Sequence, residues 1–104
     1  MRTLIRISFD TEKANGAIKN GVLGDLIRDV VERLQPEASY FFTDDGKRAA
    51  LMVFDLKDVS DIPSIAEPFF METGATVEFF PVMNAEELKT GLGKAAKQFG
   101  RVPA

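Results

Sequence analysis

The chain has 104 residues, 45% apolar and 28% charged, which is the balance of an ordinary globular domain. It holds no cysteine and no histidine, so disulfides, thiolate chemistry, the commonest general base and the usual zinc and haem ligand are all excluded. Thirteen basic residues against sixteen acidic ones leave a net charge of −3, which argues against a nucleic-acid partner. A chain of this length is expected to form one domain over residues 1–104. Its longest strongly apolar run, residues 49–54, is far too short to cross a bilayer, and Met1-Arg2 leads straight into a strand-like stretch, so no signal peptide is expected. The expectation is a cytoplasmic protein with no membrane association.

Residues 2–9 alternate, with Ile5, Ile7 and Phe9 on one side and Leu4, Arg6 and Ser8 on the other, which predicts a strand. Asp10-Thr11-Glu12 supplies cap chemistry for a helical segment running to about Gln35. In that segment Leu23, Ile27, Val30, Val31 and Leu34 form one apolar stripe. Gly16, Gly21 and Gly24 weaken its first half, so a break is expected near Asn20-Gly21, and Pro36 closes it. Residues 37–43 and 47–56 read as strands joined at Asp44-Asp45-Gly46, a dipeptide chemistry that tolerates the positive φ of a tight hairpin. If Thr43 faces Arg48, Tyr40 and Phe42 share a face with Ala49, Leu51 and Val53, while Ser39 and Phe41 share the other with Ala50, Met52 and Phe54. Ser60-Asp61 is expected to cap a helix over 62–72, kinked at Pro68 and closed by Gly74. Residues 75–82 form a fourth strand. Asn84 and Glu87 open a last helix with a capping-box spacing, and its stripe is Leu88, Leu92, Ala95 and Phe99.

The order βαββαβ plus a C-terminal helix predicts an α+β, ferredoxin-like fold: a four-stranded antiparallel sheet in the order 4-1-3-2 with helices on one face. The other face is expected to carry Leu4, Phe41, Met52, Phe54 and Phe80 around Arg6, Ser8 and Glu78. Monomers rarely leave several large apolar side chains together in water. A second copy is the expected cover, which makes Leu4, Arg6, Phe41, Met52, Phe54 and Phe80 the expected dimer interface.

The whole length, and especially Ile65-Ala-Glu-Pro-Phe-Phe70 followed by Val77-Glu-Phe-Phe-Pro-Val-Met83, resembles a family of short, uncharacterised stand-alone bacterial ferredoxin-like domains related to the dimeric α+β barrel superfamily. That superfamily includes antibiotic-biosynthesis-type monooxygenases, stress-responsive A/B barrel proteins and GYD-type domains. The resemblance implies a homodimer with sheets packed face to face and a small cavity in each protomer. It implies no activity, because members do unrelated things, and the haem-binding relatives rely on a histidine that is missing here.

The chemistry-bearing residues are few. Arg6 and Glu78 are expected on neighbouring strands, where Arg6 could grip a ligand carboxylate or the pair could simply fix the dimer register. Tyr40, the one tyrosine, could donate a proton or hold an oxyanion, or pack as an ordinary core phenol. Ser8 adds a hydroxyl with no base beside it. Asp10 and Glu78 are the carboxylates available as bases, but Asp10, like Asp44-Asp45 and Asp55, Asp58 and Asp61, is explained by helix caps and turns. The glycines at 16, 21 and 24 do not have phosphate-loop spacing. The 46–54 stretch is similar to the RNA-recognition β3 motif but puts Ala49 and Leu51 where rings would stack. No residue set calls for a metal or a cofactor. Three uses follow: a small homo-oligomeric module binding an apolar or carboxylate-bearing ligand between sheet and helices through Arg6, Ser8, Tyr40 and Glu78; a cofactor-independent isomerase, lyase or monooxygenase with Tyr40, Glu78 or Asp10 as catalytic candidates; or a partner-binding module that adds a strand to the 37–43 edge.

Overall fold

The structure is a computed structural model and describes residues 1–100. It is an α+β arrangement of strands β1 (Arg2–Ser8), β2 (Ala38–Asp44), β3 (Lys47–Asp55) and β4 (Thr76–Pro81) with helices α1 (Thr11–Lys19), α2 (Val22–Leu34), α3 (Ile62–Thr73) and α4 (Ala85–Gln98). The strands form one antiparallel sheet in the order β2-β3-β1-β4, as the element order predicts. No helix among the described residues is long and apolar enough to cross a membrane.

Local chemistry explains the boundaries. The Asp10 carboxylate accepts the Lys13 amide at 3.0 Å and starts α1. The long helical segment does break at Asn20-Gly21: Gly21 takes φ +82°, and the Asn20 side chain accepts the Val22 amide to begin α2. The β2–β3 hairpin turns on Asp45 (φ +54°) and Gly46 (φ +75°), the two positive dihedrals a right-twisted two-residue turn requires. One cap differs from expectation. Asp61 is already helical and makes no side-chain cap; Asp58 does the capping instead, accepting from the Ser60 amide and hydroxyl at the head of a short 3-10 turn (Val59–Asp61) that runs into α3.

Pro68 sits inside α3 and has no amide to give the Ser64 carbonyl one turn back. Arg33 of α2 fills that role: its Nη1 donates to the Ser64 carbonyl at 3.2 Å and its Nη2 to the Ser64 hydroxyl at 2.5 Å. Gly74 ends α3 at φ +59°. Gly74→Ala is expected to cost about 1–2 kcal/mol, read as a lower urea midpoint, because an L side chain is strained in the left-handed region. A Cβ there would also stand 2.8 Å from the Lys13 Cδ, although that flexible chain can move aside.

The core lies between the sheet and α1–α3. Ile5, Ile7, Met52 and Phe54 of the sheet pack with Leu23, Val30, Ile65 and Phe69 of the helices. The Phe9 and Phe69 rings meet at 6.2 Å. At the sheet's lower rim Asp55 accepts from Lys57 at 2.6 Å and from the N-terminal amine at 2.6 Å. The Lys57 hydrogen bond first, and the amine second, hold its carboxyl down to about 2 from an ordinary 3.8. A depressed carboxyl stabilises the fold above its unfolded value and loses that contribution as pH falls through the folded one. Asp55→Asn is therefore expected to flatten the decline of the urea midpoint between about pH 4 and pH 2, and to leave the midpoint at neutral pH only slightly lower, since the group is exposed.

Candidate functional site

Strand register decides which side chains share the uncovered face of the sheet. Thr43 faces Arg48, so the hairpin pairing is the one read from the sequence. Ile5 stands beside Met52, Ile7 beside Ala50 and Thr3 beside Phe54, which turns Met52 and Phe54 toward the helices. They are 1% and 2% exposed, members of the core and not of the open face. Phe41 also points to the helix side, yet it is 55% exposed, since β2 makes no extended contact with any helix. The expected placement of Phe41, Met52 and Phe54 on the open face is thus corrected. A sheet has period two, so one misassigned neighbour moves a whole hairpin's side chains to the other face.

The open face is apolar nonetheless, through the other half of the hairpin. Adjacent residues across the four strands form three rungs. Ala38, Val53, Leu4 and Phe80 make the first; Tyr40, Leu51, Arg6 and Glu78 the second; Phe42, Ala49, Ser8 and Thr76 the third. Leu4 and Phe80 lie there as expected. Leu51, Val53, Tyr40 and Phe42 are the members that strand alternation alone did not place. Tyr40 and Phe42 are exposed, and Leu51 and Val53 half-buried.

The fold brings four of the five ligand or catalytic candidates together on this face: Arg6, Ser8, Tyr40 and Glu78. Asp10 is elsewhere, spent on the cap of α1. Arg6 donates to one Glu78 oxygen, Oε1, from Nη2 at 2.8 Å and from Nε at 3.1 Å. Its guanidinium carbon stands 5.9 Å from the centre of the Phe80 ring. The hydrogen bond and charge of Glu78 raise the Arg6 pKa further, with a lesser contribution from Asp44 on the same face. Both side chains are about two-fifths exposed, so in the single chain the pair is wet. Arg6 Nη1 makes no hydrogen bond among the described residues, which leaves that donor uncommitted on a side chain about two-fifths exposed. Tyr40 and Glu78 occupy opposite outer strands, about 14 Å apart at roughly 4.8 Å per strand, so they form no acid–base couple.

The sheet–helix layer is filled by the core side chains named above. The larger depressions lie outside it. One of about 350 Å³ runs between α2 and α3 along Val22, Leu26, Pro68 and Met71 with an acidic rim, and one of about 280 Å³ lies where Arg2, Glu37, Asp55 and Glu87 meet. Neither touches Arg6, Tyr40 or Glu78. Among the described residues no three acidic side chains converge as a metal site would require. The chain matches no family model and no curated protein.

Proposed function

We propose that the chain is a ferredoxin-like domain of the dimeric α+β barrel type that works in the cytoplasm as a homo-oligomeric binding module, its open sheet face meeting a second copy and enclosing a small, mostly apolar carboxylate beside Arg6. The observation that carries this reading is the uncommitted Nη1 of Arg6, whose guanidinium is held by Glu78 and surrounded by Leu4, Leu51 and Phe80. A guanidinium held on one edge offers a carboxylate two parallel donors, and the apolar surround supplies the burial such ligands need. The ligand's place is this face and not the space between sheet and helices, where the core is packed.

Light scattering on the intact protein tests the assembly, with a mass of at least twice 11.5 kDa expected. A thermal-shift series of aliphatic and aromatic carboxylates tests the site: stabilisation that disappears in Arg6→Leu supports it, and a monomer that no carboxylate stabilises overturns it. One observation favours a second reading. β2 is a sheet edge exposed on both faces, with Tyr40 at 65% and Phe41 at 55%, and such an edge can accept a strand from another chain. A dimer whose mass is unchanged by open-face substitutions but lost on placing a proline in β2 is the outcome that selects this alternative.

A further inference from the structure

The last helix is the part of the molecule that the reading above leaves unused. α4 is well formed: Asn84 Oδ1 accepts the Glu87 amide at 2.9 Å, and the Glu87 carboxylate accepts the Asn84 amide at 3.0 Å. Yet none of its residues is buried, and it makes no extended packing against any other element among the described residues. Its apolar stripe is bare, with Leu92 60% exposed and Phe99, just beyond its last turn, 73%. The radius of gyration is 17.2 Å and the longest dimension 58 Å, against a radius of about 13 Å for a close-packed chain of about 100 residues. The helix therefore stands away from the body.

Where it departs is fixed. The Val82 amide donates to the Arg2 carbonyl, and Arg2 forms ion pairs with both Glu37 and Glu87. Arg2 belongs to the same strand side as Leu4 and Arg6, so the first turn of α4 is tied to the rim on the open-face side. One chain thus presents two uncovered apolar surfaces, a sheet face and a helix stripe, hinged at a common edge and not closed on each other.

We propose that α4 is an exchanged arm: in the dimer, each protomer's α4 lies across the open sheet face of its partner, covering Tyr40, Phe42 and Leu51. This rests on the dimer reading and specifies which segment does the covering. The dimensions fit. Fourteen residues at about 1.5 Å each make a rod of about 21 Å, and four strands about 4.8 Å apart place the outer two about 14 Å from each other, so the arm spans the sheet. Gly91 lies on the same side as Leu88, Leu92 and Ala95 and carries no side chain to hold the backbone away. Exchange about a two-fold axis satisfies both surfaces of both copies, and an arm plus an acceptor face from each protomer add toward the roughly 800 Å² per partner that stable interfaces bury.

Because the chain has no cysteine, single thiols report contacts cleanly. Leu92→Cys and Leu51→Cys chains carrying different tags are co-expressed and treated with a bis-maleimide. The expected product is a mixed cross-linked dimer, dominant over Leu51→Cys joined to itself. A dimer that cross-links only through two Leu51→Cys sites means that the sheets meet directly; exchange is then wrong and the dimer reading survives. A Leu51→Cys/Leu92→Cys chain that cross-links within itself, with no gain in mass on a denaturing gel, also overturns exchange. A wild-type monomer defeats both. As a second arm, Leu88→Glu/Leu92→Glu alters exposed positions only, and it is expected to halve the native mass while lowering the melting temperature by no more than the lost association accounts for; an unchanged mass counts against the proposal.

Discussion

Phe54→Ala is expected to lower stability by about 3–5 kcal/mol, the usual cost of emptying a fully buried aromatic site. Phe54 sits on the helix side of β3, two residues from Met52, in the layer that also takes in Phe69 and Ile65. The sheet ladder holds one wall of that layer, so the site relaxes only partly into the space. Native stability of a chain this size is about 5–15 kcal/mol, so the variant keeps little reserve. Urea denaturation followed by circular dichroism measures it. A loss below about 1 kcal/mol would mean that the side chain is not in the core and that the register of β1 with β3 is wrong.

Leu51→Glu, one residue from Met52, is expected to do the opposite. Its side chain faces away from the helices, between Tyr40 and Arg6, and there the new carboxylate stays in water and can meet Arg6. The urea midpoint should stay within about 0.5–1 kcal/mol of the parent once dissociation is allowed for, while the native mass falls to that of one chain. The reason is that a charge brought into an apolar contact must give up its water, a cost that a hydrogen bond to Arg6 offsets only in part. Met52→Glu, by contrast, places that charge in the core and should prevent folding altogether. If Leu51→Glu unfolds the protein, or leaves a dimer intact, the open face is not the contact surface.

Adjacent positions with opposite outcomes also mark what could be read in the residues and what could not. The strand order, the hairpin turn, the break at Gly21 and the capping box at Asn84 were all legible, since each depends on a local preference: positive φ, a side chain that accepts a nearby amide, or a period of two or 3.6. The pairing of Thr43 with Arg48 was legible for the same reason. Which side of that hairpin meets the helices was not. Tyr40, Phe42, Ala49, Leu51 and Val53 are as apolar as Phe41, Ala50, Met52 and Phe54, so alternation carries no sign, and only the contact of Ile5 with Met52 across two strands supplies it. That Arg6, Ser8 and Glu78 share a face followed from alternation and strand order, with Arg6–Glu78 anticipated as neighbours, whereas Tyr40 joins them through the hairpin face that alternation did not decide. The uncommitted Nη1 of Arg6 could not be read, because it depends on the other two donors choosing one oxygen of Glu78. For Asp10 the local explanation as a cap proved sufficient.

The guanidinium of Arg33 answering a carbonyl that Pro68 leaves vacant has a dynamic consequence. A helix interrupted by proline ordinarily has a weak point where it can open alone. Here a side chain of the neighbouring helix answers that carbonyl, so loosening α3 around Ser64 also breaks its tie to the end of α2, and amide-proton exchange around Ser64 is expected to quicken when Arg33 is replaced by Ala.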